Sequence, residues 1–536
     1  MKLNEGDEIS DIHLNLIRDQ WIPVLTENGN ELTLAPHEIF GVPDGPPVTA
    51  FAAPRPDFNG ALVQFMIGLV QTTMMPEDAD DWADALFELP SEGDAASAFS
   101  KVEHAFNLGG DGPRFMQDGA CVDQKQQGID GLLIEMPGDN TLKNNADLFL
   151  KRETVQRVCP SCAAMTLLSL QINGPPGGAG HRTGIRGGGP LTSLVLGDTL
   201  AETIWLNVLS GDQFGEQFEW EKNQDEVNIF PWMGPLRTSE NNQRTSVLDA
   251  NQLQMYWATG RRIWLDIEKT DDEKTCDLCG CSTEQQVANY RTKTYGVAYD
   301  ETWRHPLTPY YQSKEQMLPV HCQPGGLSYR NWLGLALIDG ESHREPAAVI
   351  NRFYTVYDDI REKMPIVPRL WSFGYDLDNM KARCWYESTM PLFPVEDTYR
   401  DAYELQVAQI VRTASHVHDT LRNELKNAGN RYSPEVSQRF WSETGPLFYE
   451  TVDGLRDVVF AGEEPDDLKR NWLSQVNRQT RDLFDFYAQL DRVESVNLKK
   501  VIEARKKLIM FTHPNGKKTA QTLGLSTKKS SKSKKK

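Results

Sequence analysis

Two hydrophobic periods divide this chain of 536 residues, a strand-like alternation in its first part and a helical stripe in its last. In residues 15–36, NLIRDQWIPVLTENGNELTLAP, the pattern predicts two strands around Trp21 and Pro23, joined at the Asn28-Gly29 turn. Residues 59–75, NGALVQFMIGLVQTTMM, have the length and apolar periodicity of a helix. The acid-rich stretch 76–94 is expected to lie exposed on helices and loops. A block dense in motifs fills 142–195. After it, strand-like runs such as RRIWLDIE (261–268) and YRNWLGLALI (329–338) alternate with polar loops, and no internal repeat is found.

From about Pro394 the period changes. Tyr403, Val407, Ile410, Ala414, Val417, Leu421 and Leu425 recur every three or four residues and predict an amphipathic helix. The Gly429-Asn430 break ends it. Ser433-Pro434-Glu435 supplies an N-cap with proline at the first helical position of a second helix, which runs toward Phe460 with a bend expected near Gly445-Pro446. Residues 462–465 end that helix, and two more are predicted over 467–490 and 493–510. Trp472, Phe484 and Tyr487 read as core. Four helices on short loops predict an antiparallel bundle. The fold class is α+β: a large mixed α/β domain over 1–393, a C-terminal four-helix bundle over 394–512, and a disordered Lys-rich tail over 513–536.

Composition adds a frame. The hydrophobic share of 39% and charged share of 25% are those of a globular protein, and no apolar run reaches a membrane span. The acidic N-terminus lacks the apolar core of a secretion signal, and eight cysteines form no disulfide framework, so a cytoplasmic location is expected. A net charge of −20 argues against coating nucleic acid by bulk charge, although a local basic site stays open.

Two Cys-x-x-Cys pairs, Cys159/Cys162 and Cys276/Cys279, suit a four-cysteine zinc site that staples distant segments. Cys281 is an alternative to Cys279 as ligand; buried free thiols or a redox pair are the other readings. The segment GPPGGAGHRTGIRGGGP (174–190) holds eight glycines and three bases, His181, Arg182 and Arg186, which suggest phosphate contacts. It matches neither a P-loop nor a dinucleotide fingerprint. A bare backbone entering a narrow groove, such as the DNA minor groove, is one reading; tight packing between elements is the other. His305 and the pair His416/His418 lack metal spacing, and no hydrolase or nuclease signature is present, so no enzyme is visible.

Taken in order, six motifs resemble one family: 142–147 (LKNNAD), Cys159/Cys162, 177–195 (GGAGHRTGIRGGGPLTSLV), Cys276/Cys279, 303–306 (WRHP) and 374–383 (GYDLDNMKAR). Together the chain is similar to the CasA family, the large subunit of the type I-E CRISPR surveillance complex Cascade. The resemblance implies a non-catalytic subunit that reads the protospacer-adjacent motif of duplex DNA from the minor groove. It further implies duplex opening to start crRNA-guided R-loop formation, contacts to crRNA and the other Cascade subunits, and recruitment of the helicase–nuclease, with no membrane partner. By position, the groove-reading glycine loop is Gly177, Gly178, Ala179 and Gly180. The lysine finger matches Lys293, and strict spacing from Cys279 and Trp303 lands on Thr294. The strand-separating wedge is Asn379, where a relative carries glutamine, with Met380 beside it. Phe149, Leu150 and Lys151 map to an RNA- and subunit-facing loop, and Cys159, Cys162, Cys276 and Cys279 to a structural zinc ion (Zn2+). The competing readings are a metal-dependent nucleic-acid-processing enzyme and a scaffold whose glycine loop only packs.

Overall fold

In the computed structural model, residues 14–41, 45–136, 154–178, 180–217, 222–362, 368–378, 381–429, 433–488 and 497–525 are described. Gly29, at φ +78°, makes the predicted turn between β1 (Ile22–Thr26) and β2 (Glu31–Leu34), an antiparallel pair with Ile22 opposite Leu34. β3 (Val48–Phe51) pairs along the other edge of β1. Then comes α1 (Pro56–Thr73), with proline in the first turn, where its missing N–H costs nothing. Most α1 side chains are buried, and Phe65 meets Trp21, Phe106, Phe115 and Trp257 edge-to-face, ring centroids 5.5–6.0 Å apart.

The acid-rich segment is helical but not wholly exposed. α2 (Ala79–Phe87), capped by Asp78, and α3 (Glu92–Phe99), capped by Ser91, turn their acids outward. The i, i+4 pair Trp82/Leu86 faces inward and is fully buried, with the Arg352 guanidinium 3.5 Å from the Trp82 ring centroid. Sequence composition hides this face because two apolar residues per two turns suffice to anchor a short helix.

Seven further elements frame the site. β4 (Gln126–Gly128) and α4 (Pro160–Asn173) precede β5 (Thr192–Leu196). RRIWLDIE lies in β6 (Arg262–Thr275), apart from its first residue, and pairs antiparallel with β7 (Ser282–Lys293) in a sheet ordered β4-β7-β6. β8 (Arg369–Asp378) and β9 (Lys381–Pro391) join β5 in a second sheet ordered β9-β8-β5.

The chain forms two units. One holds the residues up to Gln323, a stretch from Ala347, and Trp371–Glu387; the other holds Pro324–Pro346 and the chain from Ser388 onward. The boundary expected at 393/394 thus falls earlier, and 324–346 belongs with the helices. YRNWLGLALI, expected as a strand, is a 3-10 turn over Tyr329–Asn331 followed by further turns. Burial of its rings decides this: Tyr329 stacks on Phe448 at 4.5 Å and shares a 2.8 Å hydrogen bond with Thr444 Oγ1. A short apolar run does not distinguish a strand from such a buried turn.

The helical unit follows its stripe. α5 (Asp397–Asn427) buries every residue of the predicted series from Tyr403 to Leu425. α6 (Pro434–Phe460) starts where Ser433 Oγ accepts the Glu435 N–H, and continues as one helix through Pro446. α7 (Asp466–Tyr487) buries Trp472 and Phe484, while Tyr487 is only half-buried. α8 (Leu498–Thr512) covers the described part of the fourth predicted helix; residues 489–496 lie outside the described residues. No described helix is long and apolar enough to cross a membrane.

The tail is corrected over its first part. Lys517–Thr522 forms a helix, α9, with Thr519, Leu523 and Leu525 buried, so 513–525 is ordered. Its anchor is Lys469, 1% exposed, whose Nζ donates to Leu523 O at 3.0 Å and to Gln409 Oε1. Residues 526–536 lie outside the described residues. Burial lowers the Lys469 pKa to about 8 from 10.5, only partly offset by Asp466 and Glu464. The unfolded chain therefore binds more protons between these values, and this group makes the unit more stable as pH rises through that window. Lys469→Met keeps the side-chain length and is expected to cost about 1–3 kcal/mol by leaving the buried Leu523 carbonyl and the half-buried Gln409 amide oxygen without their donor. Urea unfolding should show the gap between wild type and Lys469→Met widening from pH 7.5 to pH 10; a constant gap contradicts it.

Candidate nucleic-acid interface and metal centre

The cysteine cluster grows from two local structures. Cys159 is the N-cap of α4, with Pro160 in the first turn, and its sulfur accepts the Cys162 N–H at 3.4 Å. Cys276 and Cys279 sit at the tip of the β6–β7 hairpin, where Gly280 turns at φ +74° and donates to Cys276 O. Asp277 ties tip to helix: its carboxylate accepts the N–H groups of Gln156 and Arg157 at 2.7 and 2.9 Å. Val158 and Val287 exchange backbone hydrogen bonds just below. The four sulfurs consequently lie within 4.8 Å of one another, and Cys159 and Cys279 are 3.8 Å apart.

That geometry fits zinc. Four Zn–S bonds of about 2.3 Å in a tetrahedron put sulfurs roughly 3.8 Å apart. Hydrogen bonds from Cys159 and Cys162 pull Cys276 down to about 6 and lower Cys279 as well, while the same exchange raises Cys162. Such thiols give up their protons to solvent as their sulfurs bind a divalent cation. An ion held by Cys159, Cys162, Cys276 and Cys279 would clamp α4 to the hairpin with no open coordination position, which is structural chemistry. Cys281 Sγ lies 3.2 Å from Cys279 but outside this set.

The glycine-rich segment begins at the C-terminus of α4. Gln171, 1% exposed, exchanges hydrogen bonds with the Arg261 peptide, 2.9 Å each way, fixing the start of β6 beside the helix end. Most of the glycines then serve close packing. A Cβ at Gly184 would stand 2.5 Å from Gln171 O, one at Gly188 2.9 Å from Pro175 Cα, and one at Gly189 3.0 Å from Tyr375 O. Gly177 donates to His181 O at 3.0 Å in a tight loop, and a Cβ there would meet His181 Cβ at 2.5 Å. Gly178 is different: it is exposed, and a Cβ would meet nothing within 4 Å. Tight packing therefore accounts for most of the glycines, while Gly178 is left open.

Gly180, at φ +85°, links this loop to the end of β7. Its carbonyl accepts the N–H groups of Tyr295 and Gly296, at 3.0 and 3.3 Å. Lys293 is the last residue of β7, opposite Arg262 and half-buried, and Thr294 follows it. The structure thus brings the glycine loop and the Lys293–Thr294 position side by side. Leu377, near the end of β8, touches the space over Gly188 and Gly189, so the β8 end lies on the same segment. Asn379, Met380, Ala179, Phe149, Leu150 and Lys151 lie outside the described residues.

The three bases separate. Arg186 is corrected as a phosphate contact: it is 5% exposed and donates to Thr192 Oγ1 at 3.1 Å, Thr308 Oγ1 at 2.8 Å, and Gln64 Oε1. Burial lowers its pKa to about 10, and it braces the core. Arg182 is half-buried, with Nε on Ser239 Oγ at 2.9 Å. His181 is held below its ordinary pKa by burial and by Arg261, so it is neutral near pH 7. His305 is buried, its Nδ1 accepting the Leu307 N–H, and His416 and His418 bond different partners, Phe511 O and Ser437 Oγ. Sequence reading misses Gly260 and Gly296. A Cβ on Gly260 would stand 2.1 Å from Thr183 O and one on Gly296 2.0 Å from Gly260 O, and lone glycines give no periodic signal.

Elemental analysis tests the ligand set. Cys276→Ser and Cys279→Ser are each expected to lose most of an ion content of about one zinc per chain. Cys281→Ser should retain it. Zinc lost from Cys281→Ser and kept by Cys279→Ser would reassign the fourth ligand.

Comparison with known proteins places this arrangement. The family profile described as CRISPR-associated protein Cse1 matches residues 15–483. Among solved structures, Cse1 from Thermobifida fusca aligns over 93% of this chain and 98% of its own, at 18% identity and TM-score 0.67. Cse1 from Acidimicrobium ferrooxidans aligns over 96% and 99%, at 15% identity and TM-score 0.66. CasA (Cse1) from Thermus thermophilus aligns over 95% and 99%, at 15% identity and TM-score 0.65. With a profile that spans most of its length, the chain belongs to the Cse1 family of CRISPR-associated proteins.

Proposed function

We propose that this chain is the non-catalytic large subunit of a type I-E Cascade, in which it reads the protospacer-adjacent motif of duplex DNA from the minor groove. The observation that carries this reading is Gly178, a bare and open backbone position on a loop otherwise locked by packing glycines, beside the end of β7 at Lys293–Thr294. A minor groove about 6 Å wide admits backbone more readily than side chains, and its code is degenerate, so several short motifs are accepted. Asn379 and Met380 form the wedge, an amide and an apolar insert that separate the first base pairs. Opening costs about 1.4 kcal/mol per stacking step, which crRNA pairing then recovers. Partners are crRNA, the other Cascade subunits, target duplex and the helicase–nuclease, in the cytoplasm. One structural relative at 15% identity bears the description CRISPR RNA-guided surveillance complex, which supports this assembly.

The acidic balance of −20 suits such a role. A subunit that repels arbitrary DNA leaves specificity to the short motif and the guide. The four-cysteine centre holds α4, and hence the loop that follows it, without taking part in reactions.

Gly178→Val adds bulk only at the open position. In reconstituted complex it is expected to weaken motif-dependent duplex binding roughly 10- to 100-fold, about 1–3 kcal/mol, the scale of one mismatched pair. Thermal unfolding and complex assembly should be unchanged. Unaltered affinity would favour a scaffold whose loop only packs.

A further inference from the structure

One residue of the loop's support is built against its own backbone preference. Tyr295 has φ +63°, in the left-handed region that a bulky side chain rarely adopts. Its backbone is pinned from three sides. Arg262 Nη1 donates to Thr294 O at 3.3 Å, Tyr295 N–H donates to Gly180 O at 3.0 Å, and Ser239 N–H donates to Tyr295 O at 3.3 Å. Glycine would fit this conformation without strain, yet the position carries a large ring that is 45% exposed. Strain held at a surface position, with an amphipathic aromatic displayed there, points to a contact made outside the chain.

We infer that Tyr295 is a second DNA-contact residue of the groove-reading site, its ring packing on the deoxyribose wall of the minor groove next to Gly178. This rests on the reading of the glycine loop given above. The ring flanks that loop: a Cβ at Gly180 would approach Tyr295 Cδ1 to 3.2 Å. Sugar faces are apolar and independent of sequence, so the contact adds affinity for any duplex seated on the loop while base edges supply the discrimination. The left-handed backbone, pinned on three sides, fixes the direction in which the side chain leaves the loop before binding.

Three variants of Tyr295 in reconstituted complex test this, with Gly178→Val as reference. Tyr295→Gly relieves the backbone and removes the ring, and Tyr295→Asn tolerates the conformation with a small polar side chain. Both should keep or raise thermal stability and weaken binding of duplexes with and without the motif by a similar factor, about 5- to 20-fold. Tyr295→Phe should bind like wild type. A benzophenone side chain at position 295 should crosslink to the duplex next to the motif. Wild-type affinity for Tyr295→Gly alongside impaired Gly178→Val, or absence of a crosslink, overturns the inference alone. Wild-type affinity for Gly178→Val overturns the glycine-loop reading itself.

Discussion

Backbone packed directly on backbone is the constraint on which this site depends. At Gly260 the chain passes so close to Thr183 that a methyl group would stand 2.1 Å from its carbonyl oxygen, and at Gly296 it passes equally close to Gly260. No side chain of any size fits between these three segments. The glycine-rich segment, the start of β6 and the turn after β7 are therefore held at a fixed spacing. Hydrogen bonds from Tyr295 and Gly296 to Gly180 transmit that spacing to the loop itself. A loop carried on such a stack presents its open residue, Gly178, from a rigid base.

Polar groups buried beneath the loop complete the support. Gln171 satisfies both ends of the Arg261 peptide, and Gln64 with two threonines surrounds the Arg186 guanidinium. A buried cation without a carboxylate partner is costly, so its full set of hydrogen bonds is needed to keep it in place. The cysteine cluster acts at the other end of α4, fixing the helix N-terminus to the hairpin whose far end carries Lys293. Cysteine cluster and glycine loop thus sit at opposite ends of the same two elements.

Much of this is legible in the sequence alone. Paired cysteines at the spacing of a metal clamp, the seven-residue stripe of α5 and the Ser433 cap all state their structure locally, because each depends on near neighbours in the chain. The boundaries are less legible. The turn at Tyr329 reads as a strand, since the Phe448 ring that captures it lies more than a hundred residues away. Arg186 reads as a phosphate ligand because a charge in a glycine-rich run looks exposed until the burial of its neighbours is known. Gly260, Gly296 and the left-handed Tyr295 carry no periodic mark at all. The Lys-rich tail reads as disordered throughout, whereas Lys469 and three buried residues hold its first helix in place.

The central claim is that bare backbone meets base edges in the minor groove, and base analogues in the protospacer-adjacent motif test it most directly. Inosine for guanine and 2,6-diaminopurine for adenine change only the minor-groove amino group, whereas 7-deazapurines change only the major-groove edge. Binding of the complex to such duplexes is expected to shift with the first set, by roughly the 1–3 kcal/mol of one base-pair substitution, and to ignore the second. Affinity that follows the 7-deaza substitutions and ignores the amino group would contradict the account.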